Sequence, residues 1–339
     1  MTKPKLPRDA AGSFKLPATK PGSIQRMCSL RGFMEIYTPH ETFKIQTPET
    51  IDPGRTNPNA GWVNAKTHDV GSASPFVART TITASETVNQ LGQLDADQRT
   101  DLLVRMHAIK ETLLQIAAVA DQFENAHAAA AAALEESRFK LDASGRALVH
   151  FPVVPNFDTK VTAFLIGARR CISEICQIPG HFWALSRTHT QLDYLLKTDL
   201  MVRLGANAPM LENLASFVVG TKRVIDMRNG QEHAVSTKGP RLHAHNFDLM
   251  PNNQIRDPVW FLAGEEPADI AAEMQAVPEF LLDLAEHMLL TCALASAGAW
   301  PPLRIERIEP PNPECPIRYA IGIDLSSAIA GQQGDQQAT

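Results

Sequence analysis

No Cys-x2-Cys pair occurs in this 339-residue chain. Its five cysteines, Cys28, Cys171, Cys176, Cys292 and Cys315, are odd in number and widely scattered, which excludes a disulfide framework and a zinc knuckle. They are expected to be cytosolic thiols, with Cys171 and Cys176 packing as small hydrophobes in an apolar helix. The first thirty residues hold no apolar core of a secretory leader. The longest apolar run, residues 280–300, is broken by Asp283, Glu286 and His287, so no membrane-spanning helix is expected. An excess of basic charge is also missing: 32 Lys and Arg face 37 Asp and Glu, for a net charge of −5. That balance excludes a broad DNA-binding face and leaves room for a local basic patch. Gly-rich pieces are few, and neither GSASP (71–75) nor GARR (167–170) has the form of a phosphate loop or a nucleophile elbow. Aromatics are sparse at 6%, but a hydrophobic content of 44% is ample for one large domain or two, so the chain is a globular, cytoplasmic protein by expectation.

Residues 1–32 carry seven Lys or Arg against the single acid Asp9, with Pro, Gly and Ser between them, and are expected to be a disordered basic arm. Residues 33–83 contain short alternating runs, FMEIYTP, TFKIQTP and FVARTTIT, separated by turns such as DPGRTNPNAGW; these predict short strands or extended covering segments. Helical periodicity follows. Thr83 or Ser85 is a possible cap, Asp95 opens the main helix, and the stripe Leu102, Met106, Ile109, Leu113, Ile116, Ala120 and Phe123 runs on to about Ser137. A second helix begins at Asp158 and reaches about Ile178, its apolar stripe Val161, Phe164, Leu165, Ala168, Cys171, Ile172 and Ile175 leaving Arg169, Arg170 and Glu174 elsewhere on its surface. Residues 190–204 predict a third helix, and Ala208 or Pro209 opens a fourth. Beyond it, residues 241–262 read as a hairpin turning near Pro251, residues 269–297 as an amphipathic helix kinked or split at Pro278, residues 303–325 as a β pair around a Pro-rich loop, and residues 326–339 as a disordered tail.

The fourth helix ends in a compact polar cluster. In SFVVGTKRVIDMRNGQEHA (216–234), Phe217, Val218, Val224, Ile225 and Met227 make a core stripe, Lys222 and Arg223 face water, and Arg228, Asn229 and His233 close the segment. Arg-Asn-x3-His at a helix end resembles the signature of the HEPN superfamily, helical-bundle proteins whose Arg-x4-6-His motif carries metal-independent RNase activity in many members. The order of a helix of FLxGAR type, an intervening segment and a helix ending in the motif is similar to the family layout over about residues 157–295, with the inserted hairpin as a departure. The resemblance implies RNA as ligand, no metal and no cofactor, a homodimer in which two motifs meet, and a toxin or defence role.

Cleavage of RNA without metal needs a base for the 2′-hydroxyl, an acid for the leaving oxygen and donors for the phosphate. A histidine at 233 titrates near neutrality and serves either proton role. Arg228 offers a planar fork to two phosphate oxygens, and Asn229 orients the histidine or the phosphate. A basic patch of Lys222, Arg223, Lys238 and Arg241 is expected around the site. On an ideal helix, positions five apart differ by about 140° in direction, so Arg228 and His233 do not share a face unless Gly230 distorts the last turn or a second chain completes the site. Two other readings of the chain stand beside this one. In the first, Arg228 and His233 solvate a helix C-terminus stopped by Gly230, in a non-catalytic helical interaction protein. In the second, His243 and His245, alternate residues of one strand, hold a metal ion together with a third ligand not evident from the sequence. The expected fold is α-rich α+β, a HEPN-like helical bundle over residues 84–325 with peripheral β-hairpins and an extended N-terminal segment.

Overall fold

The computed structural model describes Arg8 and residues 15–137, 151–232, 240–251, 254–297 and 303–323. In chain order it contains β1 (Arg26–Leu30), β2 (Phe33–Tyr37), β3 (Thr42–Gln46), α1 (Pro48–Ile51), β4 (Val63–His68), α2 (Pro75–Val77), α3 (Thr83–Gln90), α4 (Ala96–Ser137), α5 (Phe157–Ile175), α6 (Leu192–Leu195), α7 (Met201–Leu204), α8 (Pro209–Ser216) and α9 (Val218–Glu232). Four short strands and β9 follow, namely β5 (Leu242–His245), β6 (Asp248–Leu249), β7 (Ile255–Arg256), β8 (Val259–Leu262) and β9 (Ala268–Asp269), then α10 (Ile270–Ser296), β10 (Leu303–Arg307) and β11 (Tyr319–Ile323). Helix predominates over sheet, as expected of an α-rich α+β chain. Among the described residues, no helix is long and apolar enough to cross a membrane.

Two compact units divide the chain. The first comprises residues up to Lys110, Ile178–Leu185 and the chain from Met288 onward. Its sheet is an antiparallel meander in the order β1-β2-β3-β4, with both faces covered. Ile36, Phe43 and Ile45 bury one face together with Leu16, and Cys28 and Tyr37 bury the other against Val77, Ala78, Ile82 and Ile317. The expectation of a disordered arm over residues 1–32 fails for the described part. Arg26–Leu30 pairs with Phe33–Tyr37, the Thr19 amide donates to Glu41 Oε2 at 3.0 Å, and buried Arg8 donates to Asp52 at 2.7 Å. The Thr19 hydroxyl, outweighing burial together with the other donors, holds Glu41 down to about 2. Buried Glu41 and half-buried Asp52 thus anchor a segment whose composition alone reads as solvated.

FVARTTIT is also corrected, from strand to helix. Pro75 opens α2, a π-helical turn spans Ala78–Ile82, and α3 continues without a cap at Thr83 or Ser85. Every residue from Arg79 to Ala84 is buried, so tertiary burial outranks the β preference of the Thr-Thr-Ile run. Asp95 opens α4 as expected, in a reciprocal capping box: its Oδ1 accepts from the Gln98 amide at 2.8 Å and Gln98 Oε1 accepts from the Asp95 amide at 3.0 Å.

The second unit comprises Glu111–Gln177 and Ser186–His287. Its frame is the packing of α5 on α9, tied by Gln231 donating to Thr162 Oγ1 at 2.6 Å. Gly167 lets α5 approach α4: a Cβ there would lie 2.4 Å from Ile116 Cγ2. The strands form a β5-β8-β9 sheet, whose buried Trp260 packs on Phe164 with ring centroids 6.1 Å apart. The hairpin expected over residues 241–262 is present as β5 with β8, carrying the small β6–β7 pair between them.

Several helix ends differ from expectation. Helix α5 starts at Phe157, with Asn156 left-handed (φ 55°) in the capping position, so Asp158 lies in the first turn instead. The fourth helix is two helices, α8 and α9, parted at Phe217. Pro278 lies within α10 without splitting it.

Candidate functional site

The two outward stripes of α5 and α9 meet around an open cleft of about 440 Å³ in the second unit. Helix α5 supplies Ile166, Arg169, Arg170 and Glu174, α9 supplies Arg228 and Asn229, and Gln191 and Ser173 complete the lining. Ile166, Arg169, Arg170 and Ser173 stand at i, i+3, i+4 and i+7, which makes them one face of a helix, opposite the core stripe that begins at Val161. Packing of α5 against α9 therefore fixes which polar side chains share the cleft. Of the motif residues, Arg228 and Asn229 open into it side by side, with Arg228 Nη1 donating to Asn229 Oδ1 at 3.3 Å. His233 and Lys238 lie outside the described residues.

Positive charge dominates the lining. Arg228 pairs with Glu232, one turn on, at 2.5 Å. Arg169 spends one donor on the Thr190 carbonyl at 2.6 Å, and exposed Arg170 has no hydrogen-bond or ion-pair partner among the described residues. Burial depresses the Arg169 guanidinium below its ordinary range, and the nearby Arg228 cation adds to the depression. Two like charges held close enough to repel are a standing attraction for an anion. A planar guanidinium presents two parallel donors to phosphate or carboxylate oxygens.

Gly230 plays a different part from the one expected of it. It does not stop the helix, which runs on to Glu232. Instead its bare Cα admits the chain entering β5: a Cβ there would lie 2.6 Å from the Pro240 carbonyl oxygen and 2.7 Å from the Leu242 nitrogen.

The remaining cations named from the sequence are dispersed. Lys222 and Arg241 are exposed. Arg223 is committed to carboxylates, its Nε to Glu265 at 3.1 Å and its Nη1 to Glu273 at 2.9 Å. Glu273 also accepts from the Trp260 indole. His243 and His245 stand on one strand face as parity requires, with ring centroids 6.4 Å apart and planes within 7°. Phe261 lies 5.0 and 6.0 Å from the two rings. Among the described residues no third ligand atom joins them: Asp248 pairs with Arg256 at 2.9 Å, Glu265 is taken by Arg223, and His287 donates to the Asp283 carbonyl at 2.8 Å.

The sequence reading passed over Arg169 and Arg170. The available signal was the second stripe of α5, which composition alone does not separate from ordinary solvated surface. Comparison with protein-family models, curated proteins and solved structures finds no match for this chain.

Proposed function

We propose that this chain is a HEPN-like RNA-binding protein that cleaves RNA without a metal ion, with Arg228 and Asn229 on the phosphate and His233 moving the protons. The observation that carries the reading is that Arg228 and Asn229 open together into a cleft whose other cations, Arg169 and Arg170, come from the preceding core helix. The step is a transesterification: the neighbouring 2′-oxygen bonds to phosphorus as the P–O5′ bond breaks, leaving a 2′,3′-cyclic phosphate and a 5′-hydroxyl, with the histidine taking the 2′ proton and giving it to the departing 5′-oxygen. Charge developing on the phosphate is then met by the Arg228 fork and the Asn229 amide. A toxin or defence role is the biological setting that the motif's family suggests.

A second reading has one specific observation in its favour. The Arg228–Glu232 ion pair ties the last turn of α9, as it would in a helical interaction protein with no chemistry.

Cleavage of RNA in excess chelator separates the two. Wild type is expected to cut, His233→Ala to lose about 10²–10⁴-fold in rate with the proton shuttle gone, and Arg228→Lys to fail because a point charge does not reproduce the fork. His243→Ala and His245→Ala should cut normally. Unchanged cleavage by His233→Ala would refute the assigned role. A wild type without cleavage, whose Arg228→Ala variant melts at a much lower temperature, would establish the interaction-protein reading.

A further inference from the structure

We infer that the cleft between α5 and α9 is a binding site for one unpaired nucleotide of an RNA strand, with Arg169 and Arg170 holding its phosphate alongside Arg228 and Asn229, and Gln191 offering its side-chain amide to its base. This rests on the RNA reading above and adds to it two phosphate ligands, a base contact and a strand preference.

The lining has the three chemistries a nucleotide requires. Three arginines line the cleft, two of them near enough to repel, and among the described residues only Arg228 has an ion-pair partner, Glu232. A phosphate is the anion that matches such a set, since each guanidinium delivers two donors and a phosphodiester has two free oxygens in the same spacing. Amide side chains present a donor and an acceptor together, which is what the edge of any base offers in return. Ile166, 48% exposed on the same helix face, gives an apolar surface for a ring or a ribose. Glu174 in the lining disfavours a ligand with several phosphates and leaves a singly charged diester as the better match.

Size decides the strand form. A cleft of about 440 Å³ lies toward the lower end of the roughly 300–1,000 Å³ range of small-ligand sites, room for one nucleotide and not for a base pair. A duplex keeps its bases stacked inside and offers such a cleft only backbone, whereas an unpaired base is free to splay into it.

The test is fluorescence anisotropy of the full chain with a labelled 2′-O-methyl oligonucleotide of mixed sequence, single-stranded or annealed to its complement. Methylation removes the attacking 2′-hydroxyl, so binding is read apart from cleavage. Wild type is expected to bind the single strand at least tenfold more tightly than the duplex. Arg170→Gln should weaken binding about tenfold and lower the slope of log affinity against log salt by about 0.7, the loss of one single-strand phosphate contact. Gln191→Ala should weaken it about threefold with the salt slope unchanged, because an amide contact releases no counterion. Lys197→Gln, an exposed lysine outside the lining, should match wild type in both. Arg170 is exposed and has no partner among the described residues, so its variant should melt with wild type.

If Arg228→Gln abolishes binding while Arg170→Gln and Gln191→Ala keep wild-type affinity and slope, the nucleotide site is wrong and the RNA reading stands. Equal affinity for the duplex likewise overturns the site alone. Failure of wild type to bind either oligonucleotide overturns both.

Discussion

Glu35 and Lys110 are buried to 2% and 0% side-chain exposure and meet at 2.7 Å. The Tyr37 hydroxyl donates to the same carboxylate, and His107 Nδ1 lies 3.2 Å from it. Burial alone would raise the Glu35 pKa, but the His107 hydrogen bond and the Lys110 charge outweigh it and bring the group down to about 2. A carboxyl depressed in the folded state contributes stability that is fully present above its unfolded value, near 4.5, and is lost as pH falls toward 2. Urea unfolding of wild type and Glu35→Gln at pH 7, 4.5 and 2.5 should therefore show curves that differ most at pH 7 and converge in acid. Removing one partner is the harsher change. Lys110→Met leaves a buried carboxylate without its main cation and is expected to cost about 3–5 kcal/mol, while Glu35→Leu with Lys110→Met should recover most of the loss. A single-variant cost below about 1 kcal/mol would mean that water reaches the pair.

At the scale of elements, close approach is set at two glycines that the helical pattern alone does not single out. Gly230→Ala drives a methyl into backbone atoms at the start of β5, which move only if the strand moves. Overpacking of this kind costs about 1–3 kcal/mol. Gly167→Ala meets a side-chain methyl, Ile116 Cγ2, that a χ1 rotation moves aside, and no backbone atom of another element, and the gain in helix propensity, up to about 1 kcal/mol, offsets part of the strain. Thermal melting should therefore rank Gly230→Ala as the more destabilising of the two, and the reverse order would show that β5 yields more easily than Ile116.

The contrast marks what the sequence makes legible. Helix α4 is readable to its ends because its stripe and its Asp95–Gln98 box are local signals. The strands β2 and β3 and the β10–β11 pair declare themselves by alternation between turns. Residues 75–90 do not, since their helix depends on burial by partners distant in sequence. The same holds at the cleft. Arg228 and Asn229 are visible as a motif, but the removal of Arg223 from the basic patch depends on Glu265 and Glu273, 42 and 50 residues further on. The recruitment of Arg169 and Arg170 depends on how α5 lies against α9.

For the whole molecule the open matter is how many chains make one site. Arg228 and a residue five positions later point about 140° apart on an ideal helix, and α9 stays helical through Glu232 with no distortion at Gly230 to bring them together. The proposed answer is a homodimer, as the motif's family suggests, in which each site takes Arg228 from one chain and His233 from the other. Val219, 78% exposed, is an apolar side chain that α9 leaves uncovered. Light scattering at micromolar concentration should give twice the 37.1 kDa chain mass, and Val219→Glu should return the single mass with an unchanged melting temperature.

Mixing two inactive variants tests the geometry itself. If each site takes its arginine from one chain and its histidine from the other, an exchanged mixture of Arg228→Gln and His233→Ala chains contains half mixed dimers. Each of these has one intact site of two, so cleavage should return to about a quarter of wild type. Sites confined to single chains would stay dead in every combination. A mixture that remains inactive, from a wild type that is dimeric and cleaves, would place both residues of a site on one chain and require the segment after Glu232 to turn His233 back toward Arg228.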